Sequence, residues 1–130
     1  MVIGNTYSSH GNDNKFWFMK MDSKGFFLWN RTFDESRFAV SFEYAHHKGY
    51  IIGGMMDSDE TYNIWLYHID EEGNIIWIKT YSQRGFPFDI HQTKDGYFIL
   101  GQFFSEKGYV GGVLKVDVNG TFLWYKEYNY

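Results

Sequence analysis

The residues that could do chemistry are few and scattered. Cysteine is absent, and the histidines are His10, His46, His47, His68 and His91. His46 and His47 adjoin a Gly turn. Neighbouring side chains on a strand point to opposite faces, so the pair does not converge on one metal and reads as solvated turn residues. Asp57-Ser58-Asp59-Glu60 offers oxygens to calcium. Calcium takes about six to eight converging oxygens, and an acidic loop is by default just solvated. Asp22, Asp70 and Asp117 each stand three residues before a glycine (Gly25, Gly73, Gly120), like half a calcium loop. Each also precedes a tryptophan in the same register (Trp29, Trp77, Trp124), which a turn-and-core role predicts and a ligand role does not. No catalytic residue, metal or cofactor is expected from these patterns, and the chain reads as a non-enzyme.

Those aspartates define an internal repeat. Lys20 to Trp29, His68 to Trp77 and Lys115 to Trp124 share the pattern apolar-D-x-x-G-x-apolar-apolar-W. The match runs on to Thr32-Phe33, Thr80-Tyr81 and Glu127-Tyr128. Upstream, Gly49-Tyr50-Ile51-Ile52-Gly53-Gly54 matches Gly96-Tyr97-Phe98-Ile99-Leu100-Gly101, and Val2-Ile3-Gly4 fits the end of that segment. The middle repeat contains four strand-like runs, called a to d: Phe38 to Ala45, Tyr50 to Met55, Ile64 to Ile69 and Asn74 to Tyr81. His47-Lys48-Gly49 joins a to b, and Asp70-Glu71-Glu72-Gly73 joins c to d.

The turn has a mechanism. The Asp carboxylate accepts backbone N–H groups two or three residues on, and the glycine takes the positive φ that closes the turn. Strands c and d are apolar almost continuously, as in Phe16-Trp17-Phe18-Met19. That predicts sheets covered on both faces, with Trp29, Trp77 and Trp124 buried between them.

Composition agrees. Aromatics make up 22% of the chain, beside 14 Gly and one Pro, which favours strands and tight turns over helices. The net charge of −4 is wrong for a phosphate backbone, so no nucleic-acid partner is expected. No segment approaches the ~20 apolar residues of a membrane span, so no membrane insertion is expected. Met1 to Tyr7 lacks the basic and apolar regions of a signal peptide; a leader of a secreted parent would have been removed or would lie outside this chain.

Four short strands per repeat of 40 to 50 residues is the pattern of a propeller blade. The expected fold is all-β: a single partial β-propeller domain over residues 1–130, with antiparallel blades at about 1–34, 35–82 and 83–130. The strand count is 3 + 4 + 4 = 11, just under three blades. The chain resembles the K-x-D-x-x-G-x-x-x-W and D-G-G-Y-x-x-x-G repeat of secreted or surface β-propeller proteins of bacteria and archaea. Trp65, Leu66, Ile69, Asp70, Gly73, Trp77, Lys79 and Tyr81 carry the likeness, with Asp95, Gly96, Tyr97 and Gly101. Gly112, where the first two repeats have Trp17 and Trp65, and His68 in place of Lys depart from it.

The resemblance implies an extracellular or cell-surface location and a structural or adhesive role. The chain is more distantly similar to quinoprotein-type propellers, in which an Asp–Gly–Trp stretch docks each blade on the next. The calcium site and catalytic Asp of those enzymes have no counterpart here. Sialidase Asp boxes place one residue between Asp and Gly where this chain has two, and Arg31, Arg37 and Arg84 form no cluster for a substrate carboxylate.

The c–d turns are nearly identical, whereas the b–c loops differ in length and content. Scaffold turns repeat and binding loops diverge, so the b–c loops are where a ligand is expected. The candidate binding residues there are His10, Asp13, Asp57, Asp59, Tyr62 and Tyr109. The leading expectation is a non-catalytic module that binds a protein or glycan through this face. The alternative is a structural building block that closes rings or polymerises by blade-to-blade packing. Its partner is then a second copy, as in a homodimer closing a six-bladed ring, or the rest of a longer propeller.

Overall fold

The structure is a computed structural model that describes residues 2–6, 15–33, 37–56, 62–106 and 108–128. Ten antiparallel strands run in chain order: β1 (Val2–Thr6), β2 (Lys15–Met21), β3 (Phe27–Phe33), β4 (Arg37–Tyr44), β5 (Tyr50–Met56), β6 (Asn63–Ile69), β7 (Ile75–Thr93), β8 (Gly96–Ser105), β9 (Gly108–Asp117) and β10 (Phe122–Tyr128). There is no helix among the described residues. Every hydrogen-bonded neighbour is also a sequence neighbour. β1-β2-β3 form one sheet, and β4 to β10 form a seven-stranded meander.

The meander has two halves. β7 pairs with β6 from Ile75 to Arg84 and with β8 from Gly85 to Thr93, so one strand edges two four-stranded halves. The sequence predicts a strand ending at Tyr81 and a separate one following. The backbone instead runs through without a break. One strand can serve both because its partner changes at Gly85, whose N–H donates to the carbonyl of Tyr62 (2.9 Å), a residue just ahead of β6.

The core has two clusters, one between the halves of the seven-stranded sheet and one between that sheet and β1-β2-β3, and β5 and β6 contribute to both. One cluster joins Ile51, Ile64 and Leu66 to Ile90, Tyr97, Ile99, Leu114 and Val116. The other joins Ile52, Trp65, Tyr67 and Ile69 to Phe16, Phe18 and Phe33. Alternate residues of β6 thus enter opposite clusters, and its continuous apolar run is buried on both faces. Phe16 stacks on Phe33 (4.6 Å) and on Trp65 (4.9 Å), geometries that add to the burial gain. Gly112 is compensated locally. A Cβ there would come within 2.8 Å of Phe103 and 3.1 Å of Tyr125, so those rings occupy the place of a large side chain.

The strands after each c–d turn differ from expectation. Phe27 and Leu28, Ile75 and Ile76, and Phe122 and Leu123 are all exposed. Pairing shifts by one residue at each of these places. Lys20↔Trp29 is followed by Met21↔Phe27, His68↔Trp77 by Ile69↔Ile75, and Lys115↔Trp124 by Val116↔Phe122. The skipped residue makes a bulge that twists the strand and spoils its outer edge as a template for stray pairing. β3, β10 and the Ile75–Arg84 stretch of β7 each pair on one side only, and their apolar pairs face solvent. Trp29, Trp77 and Trp124 are correspondingly half-buried, which corrects the expectation of full burial.

Candidate functional site

The three c–d turns are built alike. Gly25, Gly73 and Gly120 have φ of +84°, +88° and +79°, a region side chains avoid, as the turn chemistry predicts. The Asp carboxylate accepts N–H groups two and four residues on, not two and three. Asp22 Oδ1 takes Lys24 and Phe26, Asp70 Oδ1 takes Glu72 and Asn74, and Asp117 Oδ1 takes Asn119 and Thr121, all at 2.8–2.9 Å. These donors, the Asn74 N–H first, hold the Asp70 carboxyl below the usual carboxylate range. In each turn one carboxylate oxygen, Oδ1, is thereby committed to the backbone, and in Asp70 the Asn74 side chain also bonds Oδ2.

Two of the turns also seat a tryptophan from the preceding sheet segment. Trp29 Nε1 donates to the carbonyl of Glu71 (3.0 Å), and a Cβ at Gly73 would lie 3.0 Å from the Trp29 ring. A Cβ at Gly120 would lie 2.6 Å from Trp77. The Tyr81 hydroxyl donates to the carbonyl of Gly120 (2.6 Å). Burial, with the nearby Asp117 charge, pushes the Tyr81 hydroxyl pKa well above its ordinary 10.0. Glycine here therefore serves both the backbone angle and the approach of an indole.

Sequence reasoning missed a second device. Lys115, almost fully buried, spans its sheet to the β7–β8 turn, donating to Asp95 Oδ1 (2.7 Å) and Thr93 Oγ1 (2.5 Å) with its ammonium 4.4 Å above the Phe98 ring. His68, at the same pattern position, donates from Nε2 to the carbonyl of Lys48 (3.0 Å) in the β4–β5 turn. A nitrogen facing a carbonyl must carry its proton, so the imidazole does the bridging that the ammonium does elsewhere. His46 is also structural. Its N–H donates to the Tyr97 hydroxyl (2.8 Å), and its ring meets the Gly96 carbonyl (3.3 Å). His91 Nε2 lies 3.0 Å from Asp89 Oδ2 on the surface, an exposed contact of a kind worth little to stability.

Tyr62 and Tyr109 fall in one aromatic patch. Tyr62 precedes β6 and is held at φ +55°. Tyr109 is the second residue of β9, beside a hydrogen bond from Ser105 Oγ to the Gly108 carbonyl (3.1 Å). The two rings are linked through Phe86 and Phe104. Tyr62 lies 5.4 Å from Phe86 and 5.7 Å from Phe104, and Tyr109 lies 5.9 Å and 5.0 Å from the same two rings. The Arg84 guanidinium sits 5.4 Å over Phe104. Tyr109 is 62% exposed, which leaves a ring face open to a ligand.

Beside the patch is a cleft of about 150 Å³, lined by Arg84, Gln83, Ser82, Phe103, Phe104 and Tyr125. Gln83 Oε1 is buried there and has no hydrogen-bond partner among the described residues. At its wall the Tyr125 hydroxyl donates to Glu127 (3.2 Å), and burial together with that carboxylate pushes it up to about 12. Phe86, Phe104 and Arg84 were not legible as site residues. They lie in strands, outside the divergent loops, and only pairing β7 with β8 and β8 with β9 brings them to Tyr109.

His10, Asp13, Asp57 and Asp59 lie outside the described residues. Among the described residues no three His, Asp or Glu side chains converge to hold a metal ion. No helix of the described chain is long and apolar enough to cross a membrane. The fold and patch define an all-β protein of antiparallel meanders with an exposed aromatic surface. The chain matches no known family pattern and no curated protein sequence.

Proposed function

We propose that the chain is a propeller-type, non-catalytic interaction module that binds a protein or glycan through the face carrying its b–c loops. The observation that carries this is the Tyr62–Phe86–Phe104–Tyr109 patch with Arg84 laid on it. Tyr and Arg dominate binding hot spots because each presents a large rigid surface together with a polar group. The adjoining cleft supplies an unpaired acceptor at Gln83 and a hydroxyl at Tyr125, which suits a ligand with its own donors. The propeller reading is supported by the sequence repeat, the four-stranded meanders and a middle set of strands buried on both faces. An extracellular or surface setting rests on the family resemblance alone.

The test is a screen of the labelled chain on glycan and peptide arrays, repeated with Tyr109→Ala and Arg84→Ala. Ligands found with the wild type are expected to lose at least tenfold in affinity in either variant. Full binding by both variants would remove this face from consideration.

A second reading, a building block that joins other copies of itself, is favoured by the tryptophan seats at Gly73 and Gly120. Both are contacts between consecutive sheet segments of one chain, and nothing in their chemistry restricts them to a single polypeptide.

A further inference from the structure

The tryptophan seats recur, and among the described residues one is empty. Gly73 holds Trp29, and Gly120 holds Trp77. At Gly25, which has a similar φ and the same Asp-bonded turn, a Cβ would meet nothing within 4 Å among the described residues. Conversely, Trp124 stands at the position of Trp29 and Trp77. It packs on Phe98 (5.8 Å) and under Lys126 (4.9 Å), and no turn seats it among the described residues.

The surfaces around these two points are complementary in the same way. Trp65, Tyr67 and Ile69 of β6 are fully buried against β2 and β3. The residues at the same pattern positions in β2, namely Trp17, Met19 and Met21, are partly exposed. At the other end, Phe33 and Tyr81 are each 7% exposed, but the matching Tyr128 is 44% exposed. Tyr128 borders an open apolar hollow of about 490 Å³ with Phe88, Leu100 and Val113. Thus β2 shows the kind of face that receives a neighbour, and β9–β10 shows the kind that inserts into one.

We propose that a second copy of this chain fills both vacancies: Trp124 of one copy seats on the Gly25 turn of the other, and the same contact forms in return. This rests on the building-block reading, and it names the contact. The occupant follows from continuity with an interface the chain already makes twice within itself. Head-to-tail contacts close when the rotation fits, and two copies give 3 + 3 = 6 sheet units, within the roughly four to eight of closed propellers. The contact is apolar apart from two donors: the indole N–H, which finds a turn carbonyl as Trp29 finds Glu71, and the Tyr128 hydroxyl, which finds the Gly25 carbonyl as Tyr81 finds that of Gly120.

The experiment is light scattering of the 130-residue chain at about 100 µM beside two variants. Trp124→Ala removes the plug. Gly25→Asn fills the seat while tolerating positive φ, and among the described residues nothing stands in its way. The wild type is expected at twice its 15.5 kDa mass and each variant at 15.5 kDa, with thermal melts of dilute samples showing that both fold. An equimolar mixture of the variants is expected to recover a pair, because each keeps the half that the other lacks. A wild-type monomer overturns both this contact and the building-block reading. An oligomer that survives both substitutions overturns this contact alone.

Discussion

The double duty of the turn glycines makes a comparison of Gly25→Ala with Gly73→Ala informative. The two residues share a backbone conformation, with φ of +84° and +88°, so the left-handed strain on a new Cβ is nearly the same in both. That strain is about 1–2 kcal/mol. The surroundings differ. At Gly25 the methyl meets none of the described residues, whereas at Gly73 it would lie 2.7 Å from Arg31 Cγ and 3.0 Å from Trp29. Relieving that crowding means moving the indole off its carbonyl. Overpacking of this kind costs about 1–3 kcal/mol, and the Trp29–Glu71 hydrogen bond is worth a further ~1 kcal/mol. Gly25→Ala is therefore expected to cost ~1–2 kcal/mol and Gly73→Ala ~3–6 kcal/mol, the sum of these terms. Urea unfolding followed by tryptophan fluorescence measures both, at concentrations dilute enough that the wild-type midpoint no longer changes on further dilution. Equal midpoints for the two variants, with equal slopes, would refute the claim that Gly73 is a seat for Trp29.

Three further outcomes follow from the same geometry. Tyr81→Phe removes the hydroxyl that satisfies the buried Gly120 carbonyl and is expected to cost about 1–3 kcal/mol in the same assay. Because folding raises the Tyr81 pKa, its contribution is complete below the ordinary 10.0 and is lost as pH rises from there towards the folded value. Alkaline unfolding should therefore be less steep in Tyr81→Phe than in the wild type, and identical profiles would count against a buried phenol. Asp95 behaves in the opposite sense. Its hydrogen bond from Lys115, and then that from Thr93, lowers its pKa, so its stabilisation is present above the ordinary 3.8 and is lost as pH falls through the folded value. An acid titration of Asp95→Asn should lack that loss, with the midpoint near neutral pH lower than wild type. Finally, Trp77→Ala, which empties the Gly120 seat, should destabilise a dilute sample clearly more than Trp124→Ala; a reversed order would show that the seats carry no folding energy.

The local devices were legible in the sequence because local chemistry determines them. Asp70, Gly73 and Trp77 could be assigned a turn and a following strand from spacing alone, since an Asp-bonded turn and a positive φ are properties of a few consecutive residues. The apolar run Ile64 to Ile69 announced burial on both faces for a similar reason: it leaves no polar side to turn to water. The sequence also marked Tyr62 and Tyr109 as belonging to one face. Other features depended on partners far along the chain. Whether Phe27-Leu28, Ile75-Ile76 and Phe122-Leu123 were core or edge could not be read from their hydrophobicity, because a bulge and pairing on one side only decide it. The continuity of β7 arose from a change of pairing partner at Gly85, which leaves no local mark. Arg84, Phe86 and Phe104 joined Tyr109 only through sheet register. His68 proved a substitute for lysine only once the β4–β5 turn lay within reach of its ring. Sequence determined each turn and each apolar stripe, since those are short-range interactions; tertiary structure decided which stripes met, since burial belongs to pairs of surfaces and not to either one alone.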